Sequence, residues 1–285
     1  MANFDYNNNG YISKAEAASV TDIVNKFINS AISTFDELEK FNNLTIIRGA
    51  EGYAYKGFYG CSNLVSIKLP IGVEIGNGGW YDDKGGAFVG TKLETVGNLD
   101  KVTRIGNYAF ANVSTLSYNG VYHNNSVTYI GDYAFEGCAN FKALLDLPNI
   151  TSLGQYAFWK SGIKAIYNIG SITTLTGAWP KDRQGHFANC ENLQTIILPE
   201  TLTSLGMFAF YGCVSIQVVV VKSNTPPTLD DRAFENTNIE FKIYVPDESV
   251  DAYIANWSTY SSRIKPISQL ATDNPSLYEE VAEYL

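Results

Sequence analysis

The chain has 285 residues, of which 45% are hydrophobic and only 17% charged, so it can bury a sizeable core while Asn, Ser, Thr, Gly and Tyr carry much of its polarity. The net charge of −9 and the lack of any Lys/Arg run argue against nucleic acid and anionic membranes as partners, because both attract clustered positive charge. No stretch of 18 apolar residues occurs, which excludes a transmembrane helix, and Met1-Ala2-Asn3-Phe4 lacks the basic start and apolar run of a signal peptide.

Residues 1–43 read as an N-terminal cap. Asp5-Tyr6-Asn7-Asn8-Asn9-Gly10-Tyr11-Ile12-Ser13-Lys14-Ala15-Glu16 fits the calcium-loop pattern D-x-[DN]-x-[DN]-G-x5-E in full. Side-chain oxygens of Asp5, Asn7 and Asn9, the Tyr11 carbonyl, Ser13 (directly or through water) and both oxygens of Glu16 supply the dense oxygen set that Ca2+ requires, and Gly10 allows the sharp turn. With only Asp5 and Glu16 charged, the expected calcium is a modest-affinity, structural ion. The competing reading is an Asn-rich turn before a helix with Val20, Ile23, Val24 and Phe27 on one side. Thr34-Phe35-Asp36-Glu37 then reads as a capping box opening a second short helix.

Residues 44–246 are dominated by self-similarity. Ile-Gly-x-x-Ala-Phe occurs at Ile105–Phe110 and Ile130–Phe135, close variants end at Phe158 and Phe210, and weaker copies end at Phe58, Phe88, Phe187 and Phe234. The spacings between these Phe residues are 30, 22, 25, 23, 29, 23 and 24, a unit of about 23 residues with two longer copies. After Phe comes Gly or Asn two residues on in seven of the eight copies (Lys160 after Phe158), then an apolar strand such as Leu64–Pro70 or Leu193–Pro199. Phe141–Leu147 and Ile163–Ile169 are looser versions with one extra residue. One such unit cannot bury its own apolar face, whereas stacked units bury a continuous one. The fold class expected is therefore mainly β with short helices: a solenoid of about eight repeats, with a parallel sheet on the concave face and helical caps. A helix near Asp247 with Val250, Tyr253, Ile254 and Trp257 on one face would form a C-terminal cap over residues 247–270, followed by an acidic tail at 271–285 with one short helix after Pro275.

The pattern Leu-x-x-Ile-x-Leu-Pro followed by Leu-Thr-Ser-Leu-Gly-x-x-Ala-Phe-x-Gly-Cys, best kept at residues 193–213, resembles the BspA-type leucine-rich repeat family. The resemblance implies a bacterial cell-surface or secreted protein engaged in adhesion or ligand capture, with no catalytic residues. Its partner would be a protein or glycan on a host or bacterial surface, met by a monomer. The localisation it implies is extracellular or at the cell surface, with the targeting signal outside this sequence.

Cys61, Cys138, Cys190 and Cys213 each lie three residues after a repeat Phe, where other repeats carry Thr91, Val113, Ser161 or Thr237, so they read as buried core thiols; Cys190 and Cys213 sit in adjacent repeats. His123 and His186 are the only histidines, and their spacing supports no nucleophile–base arrangement. The two long repeats carry parallel insertions, with Trp80 and Asp83 in one and Trp179 and Asp182 in the other. Such insertions read either as loops packed back on the core or as exposed aromatic–acidic contacts for a partner. The outward strand positions, among them Lys68, Tyr118, Tyr167 and Tyr244 with Ile197, Val218 and Val220, form the other candidate surface. A structural spacer between other domains is the alternative function; a cryptic enzyme site is the third.

Overall fold

The computed structural model describes residues 4, 12–23, 26–49, 57–79, 85–178 and 184–285. Two lines of parallel strands run along the chain. Thr34–Phe35, Ser66–Lys68 and Thr95–Gly97 form a three-stranded sheet, and Tyr118–His123, Phe141–Asp146, Ala165–Asn168, Thr195–Leu198, Val218–Val221, Lys242–Val245 and Ile264–Pro266 form a seven-stranded one, each strand paired to the one from the next repeat. Opposite them, two-residue strands from Ile46–Ile47 to Thr228–Leu229 make a second line in two sheets. This is the mainly β, parallel-sheet solenoid of about eight turns that the repeat length implies.

The repeat Phe residues stack at the core. Phe27, Phe58, Phe88, Phe110, Phe135, Phe158, Phe187, Phe210 and Phe234 form a continuous ladder with centroids 4.9–5.6 Å apart and ring planes within 23° of parallel. Seven of the nine are wholly inaccessible to solvent. Offset ring pairs of this kind are each worth about 0.5–1.5 kcal/mol beyond the area they bury. The residue two after each ladder Phe, Gly or Asn except for Lys160, has a left-handed backbone, with φ from +51° at Asn29 to +78° at Gly90, which a β-branched residue would resist. The residue after Ile-Gly makes a second ladder: Asn77 Oδ1 accepts the Asn107 N–H (3.1 Å), Asn107 Oδ1 the Asp132 N–H (3.0 Å) and Asp132 Oδ1 the Gln155 N–H (2.7 Å), so backbone donors of each turn are satisfied by the previous one.

Local readings at the two ends change. The first helix is short, Lys14–Ser19, and Val20 is already extended; Ile23 and Phe27 are buried as foreseen, but in turns, because Phe27 joins the ring ladder instead of a helix face. Val24 lies outside the described residues. No capping box forms at Thr34: Thr34–Phe35 pairs in parallel with Ser66–Ile67, which leaves the Asp36–Lys40 3-10 helix with Phe35 at its N-cap and no side-chain cap bond. At the other end Val250–Asn256 is helical and buries Tyr253 and Trp257, whose indole N–H donates to the Pro227 carbonyl (2.8 Å), while Ile254 faces solvent. Two aromatic anchors suffice to close the last repeat, and the helix turns Ile254 off that face.

Candidate functional site

The seven-stranded sheet has both of its faces covered over its C-terminal half. Ile166, Ile196, Val219 and Ile243 point to the main core. The alternate positions Ala165, Tyr167, Ile197, Val218, Val220 and Tyr244 form a second apolar cluster with Leu270 and Val281, against which Leu277, Tyr284 and Leu285 also pack. The acidic C-terminal segment has therefore folded back over the outward sheet face. It contains a helix at Leu270–Asp273 and another at Pro275–Val281, with Asn274 capping the second through the Leu277 N–H (3.2 Å).

Polar contacts fix this segment in register. The Tyr244 hydroxyl donates to Asp273 (2.9 Å), and the Lys265 ammonium reaches the same carboxylate at 2.6 Å. Those donors hold the Asp273 carboxyl below its usual range. The Tyr167 hydroxyl donates to Glu280, and the Lys222 ammonium donates to the Tyr284 carbonyl (2.8 Å). Tyr284 in turn donates to Asp146 (3.4 Å), whose carboxylate also lies 2.5 Å from His123 Nδ1, and the Tyr167 and Tyr284 rings sit 5.2 Å apart. Burial, and then the neighbouring carboxylates, raise the Tyr167 and Tyr244 hydroxyls, which stay protonated donors.

The strand that carries Tyr167 is irregular. Ile166 pairs with Leu145 and Asn168 with Asp146, so two residues on one strand face one on the next. The extra residue in the Ile163–Ile169 repeat is this bulge; Tyr167 keeps the outward alternation of Ala165, and beyond the bulge Ile169 returns to the main core.

The sequence-derived contact residues divide as follows. Tyr167 and Tyr244 are on the outward face but only 4% and 2% exposed, beneath the C-terminal segment. The outward aliphatics Ile197, Val218 and Val220 are buried there too, in contrast to the exposed positions the register implied. Tyr118 is not outward at all: it pairs with Phe141, packs its ring on Tyr122 and Phe141, and so belongs to the inner side. The outward positions of that strand are Asn119, Val121 and His123, because Tyr118, Gly120 and Tyr122 pair with Phe141, Ala143 and Leu145 of the core, one residue earlier than the Leu64–Ile67 spacing implies. Lys68 is outward and half-exposed, 2.7 Å from Glu39, on the open half of the face with Ser66, Thr95, Asn119, Lys142 and Lys164. The face thus has a polar open half and an apolar covered half. The covered half had a legible signal: Val218–Val221 is a four-residue apolar run without alternation, which marks a strand buried on both sides.

Asp5, Asn7, Asn9 and Tyr11 of the calcium-loop candidate, and Trp80, Asp83, Trp179 and Asp182 of the two insertions, lie outside the described residues. Of the calcium set, Ser13 and Glu16 are described. They form a capping box in which Ser13 Oγ accepts the Glu16 N–H (3.2 Å) and Glu16 Oε2 accepts the Ser13 N–H (2.9 Å). The second insertion rises from an antiparallel pair, Gly177 opposite Gly185 and Ala178 opposite Gln184, the base of a hairpin in an otherwise parallel structure.

The cysteines follow the repeat register. Cys61, Cys138, Cys190 and Cys213 are buried free thiols that donate to the carbonyls of Phe27, Phe110, Phe158 and Phe187 in the preceding turn, at 2.7–3.1 Å. Burial raises the Cys61, Cys138 and Cys213 thiols, which makes them poor nucleophiles. Among the described residues no cluster of three His, Cys, Asp or Glu side chains is arranged to hold a metal ion, and no helix is long and apolar enough to cross a membrane.

The model of the BspA type leucine rich repeat region matches residues 16–83, 83–178 and 183–269, in six copies. The chain belongs to that family. The BspA-type family and its solenoid fold are typically non-catalytic. A leucine rich cell surface protein from Faecalibacterium prausnitzii A2-165 is 22% identical, with a TM-score of 0.41, over 74% of this chain and 62% of its own. A leucine-rich repeat protein from Bacteroides ovatus ATCC 8483 is 19% identical, with a TM-score of 0.31, over 73% of this chain and 49% of its own. The chain spans less than two thirds of the length of either protein. No curated protein matches it.

Proposed function

We propose that this BspA-type chain is a non-catalytic binding module at a bacterial surface or in the extracellular space, and that it captures a protein or glycan. The observation that carries the reading is the outward sheet face: its apolar half already holds a polypeptide segment through aromatic hydroxyls, lysines and aliphatic side chains. Tyrosine-rich faces with a polar surround are suited to such contacts. The Trp80/Asp83 and Trp179/Asp182 insertions are proposed as a second contact region, a reading supported by the hairpin base at Gly177–Ala178 and Gln184–Gly185. The test is binding of the purified chain to immobilised matrix proteins, mucins and polysaccharides. Saturable binding to one class, reduced at least tenfold in a Trp80→Ala/Trp179→Ala chain of unchanged fold, supports the proposal. Background signal throughout favours a spacer between other domains.

A structural calcium at residues 5–16 is proposed alongside it. Glu16 supports this: it is mostly buried, and its carboxylate bends back from the helix to Ser13, another residue of the loop pattern. Ca2+ would add charge neutralisation and a stiffened cap; Asp5, Asn7, Asn9, Tyr11, Ser13 and Glu16 would hold it. Glu16→Gln separates the two roles of this side chain, because Gln still closes a capping box but cannot offer two anionic oxygens. Calorimetric titration should show calcium binding by the parent chain and at least a tenfold loss in Glu16→Gln, with the calcium-free melting temperatures of the two chains alike. Equal calcium affinity in both would remove the loop as the site.

A further inference from the structure

The covered half of the sheet face shows what chemistry it accepts. Its occupant, residues 267–285, carries Asp273, Glu279, Glu280 and Glu283 and no Lys or Arg. The face opposes it with donors: Tyr167 and Tyr244 hydroxyls and Lys222 and Lys265 ammonium groups, which reach two carboxylates and one backbone carbonyl. The apolar side of the occupant is spaced as one stripe of a helix, Leu277, Val281 and then Tyr284, after an anchor at Leu270. Those carboxylates and that stripe are features that any acidic amphipathic helix supplies.

The occupant is also lightly attached. Its helices have 4 and 7 residues, too short to persist in water without the sheet beneath them. Between Leu270 and the chain's last residue only Leu270 and Val281 are fully buried, whereas the sheet positions beneath are almost wholly covered. A cavity of about 270 Å3 remains beside it, lined by Tyr167, Ile197, Pro199, Lys222, Glu283 and Tyr284. Segments with few buried contacts open locally well before the whole fold does.

We propose that the outward face from Leu144 to Tyr244 is a recognition surface for acidic, amphipathic helical peptide segments of a partner protein, and that residues 267–285 are its resident, displaceable occupant. This rests on the reading of that face as a binding surface and names the partner class for it. The own segment then sets a threshold: a partner must exceed its local advantage before it binds, and the apolar patch stays covered until then.

The test uses the full chain and a labelled synthetic peptide of residues 267–285. Leu277→Asp/Val281→Asp releases the occupant while leaving the main core untouched, since neither residue belongs to it. The released chain should bind the peptide saturably and at least tenfold more tightly than the parent, and Tyr167→Ala added to the released chain should reverse that gain. Hydrogen exchange on the unmodified chain gives a readout independent of any variant: amides of residues 276–281 should exchange at least a hundredfold faster than those of Val218–Val221. Equal peptide binding by parent and released chains, no peptide binding by the released chain, or equal protection of the two segments would overturn the proposal. If any of these outcomes accompanies saturable binding to the immobilised panel, the face is not a peptide site but the module is still a binder.

Discussion

Phe135→Ala will lower the unfolding free energy of the solenoid by about 3–5 kcal/mol, the range for truncating a fully buried aromatic side chain. Phe135 is wholly inaccessible and lies between Phe110 at 5.4 Å and Phe158 at 5.2 Å, with Phe141 from its own repeat at 4.8 Å. The substitution removes both stacking contacts of a central rung. A repeat array is stabilised mainly by contacts between neighbours, so cutting two adjacent interfaces weakens the array in its middle. Phe234→Ala, at the last rung, loses one ladder contact instead of two, so its cost should be smaller. Urea denaturation followed by circular dichroism measures both. A loss below about 1 kcal/mol at Phe135 would mean that neighbouring side chains collapse into the space and that the ladder is not the principal inter-repeat contact.

The second large effect is on pH. His186 occupies the position filled by Ala87, Ala109, Ala134, Ala157, Ala209 and Ala233 in other repeats, and it is 4% exposed. Burial lowers its pKa from 6.5 to about 4. Its Nδ1 accepts the Thr176 N–H (3.2 Å), so the folded ring has its proton on the other nitrogen and cannot take a second without breaking that bond. The folded pKa is below the unfolded one, so the unfolded chain binds the extra proton. The stabilising difference is intact above about pH 6.5, declines as pH falls, and is lost by about pH 4, a total of ~3 kcal/mol. His186→Ala removes the titrating group. The fall in urea midpoint between pH 7 and pH 4 should therefore be clearly smaller in the variant than in the parent. Identical falls would show that carboxylates alone set the acid limit.

The sequence by itself determined the architecture. Eight in-register Phe anchors, the Gly or Asn two residues later and the apolar strand after it are enough to fix a stacked parallel solenoid, because each unit has one apolar face and only a copy of itself can cover it. The cysteines were legible for the same reason: their place in the repeat shows that they are buried before any contact is known. Even the one-residue irregularity near Ile163–Ile169 was visible as an extra residue, and the outward place of Tyr167 was legible in the register.

What only the tertiary structure decided is what lies on the outward face. Local pattern states which side chains leave the core, but says nothing of whether a segment a hundred residues away in the chain returns to cover them. Residues 271–285 read as an acidic tail with one short helix after Pro275, because the stripe of Leu277, Val281 and Tyr284 is too brief to hold a stable helix alone; the sheet supplies the missing stability. Tyr118 was placed on the wrong side because outward and inward alternate with period two, so a strand whose alternation starts one residue earlier than the Leu64–Ile67 spacing implies reverses every assignment along it. The solenoid repeats locally and is therefore written in the sequence, whereas its covered and open surfaces arise from one long-range contact that no repeat encodes.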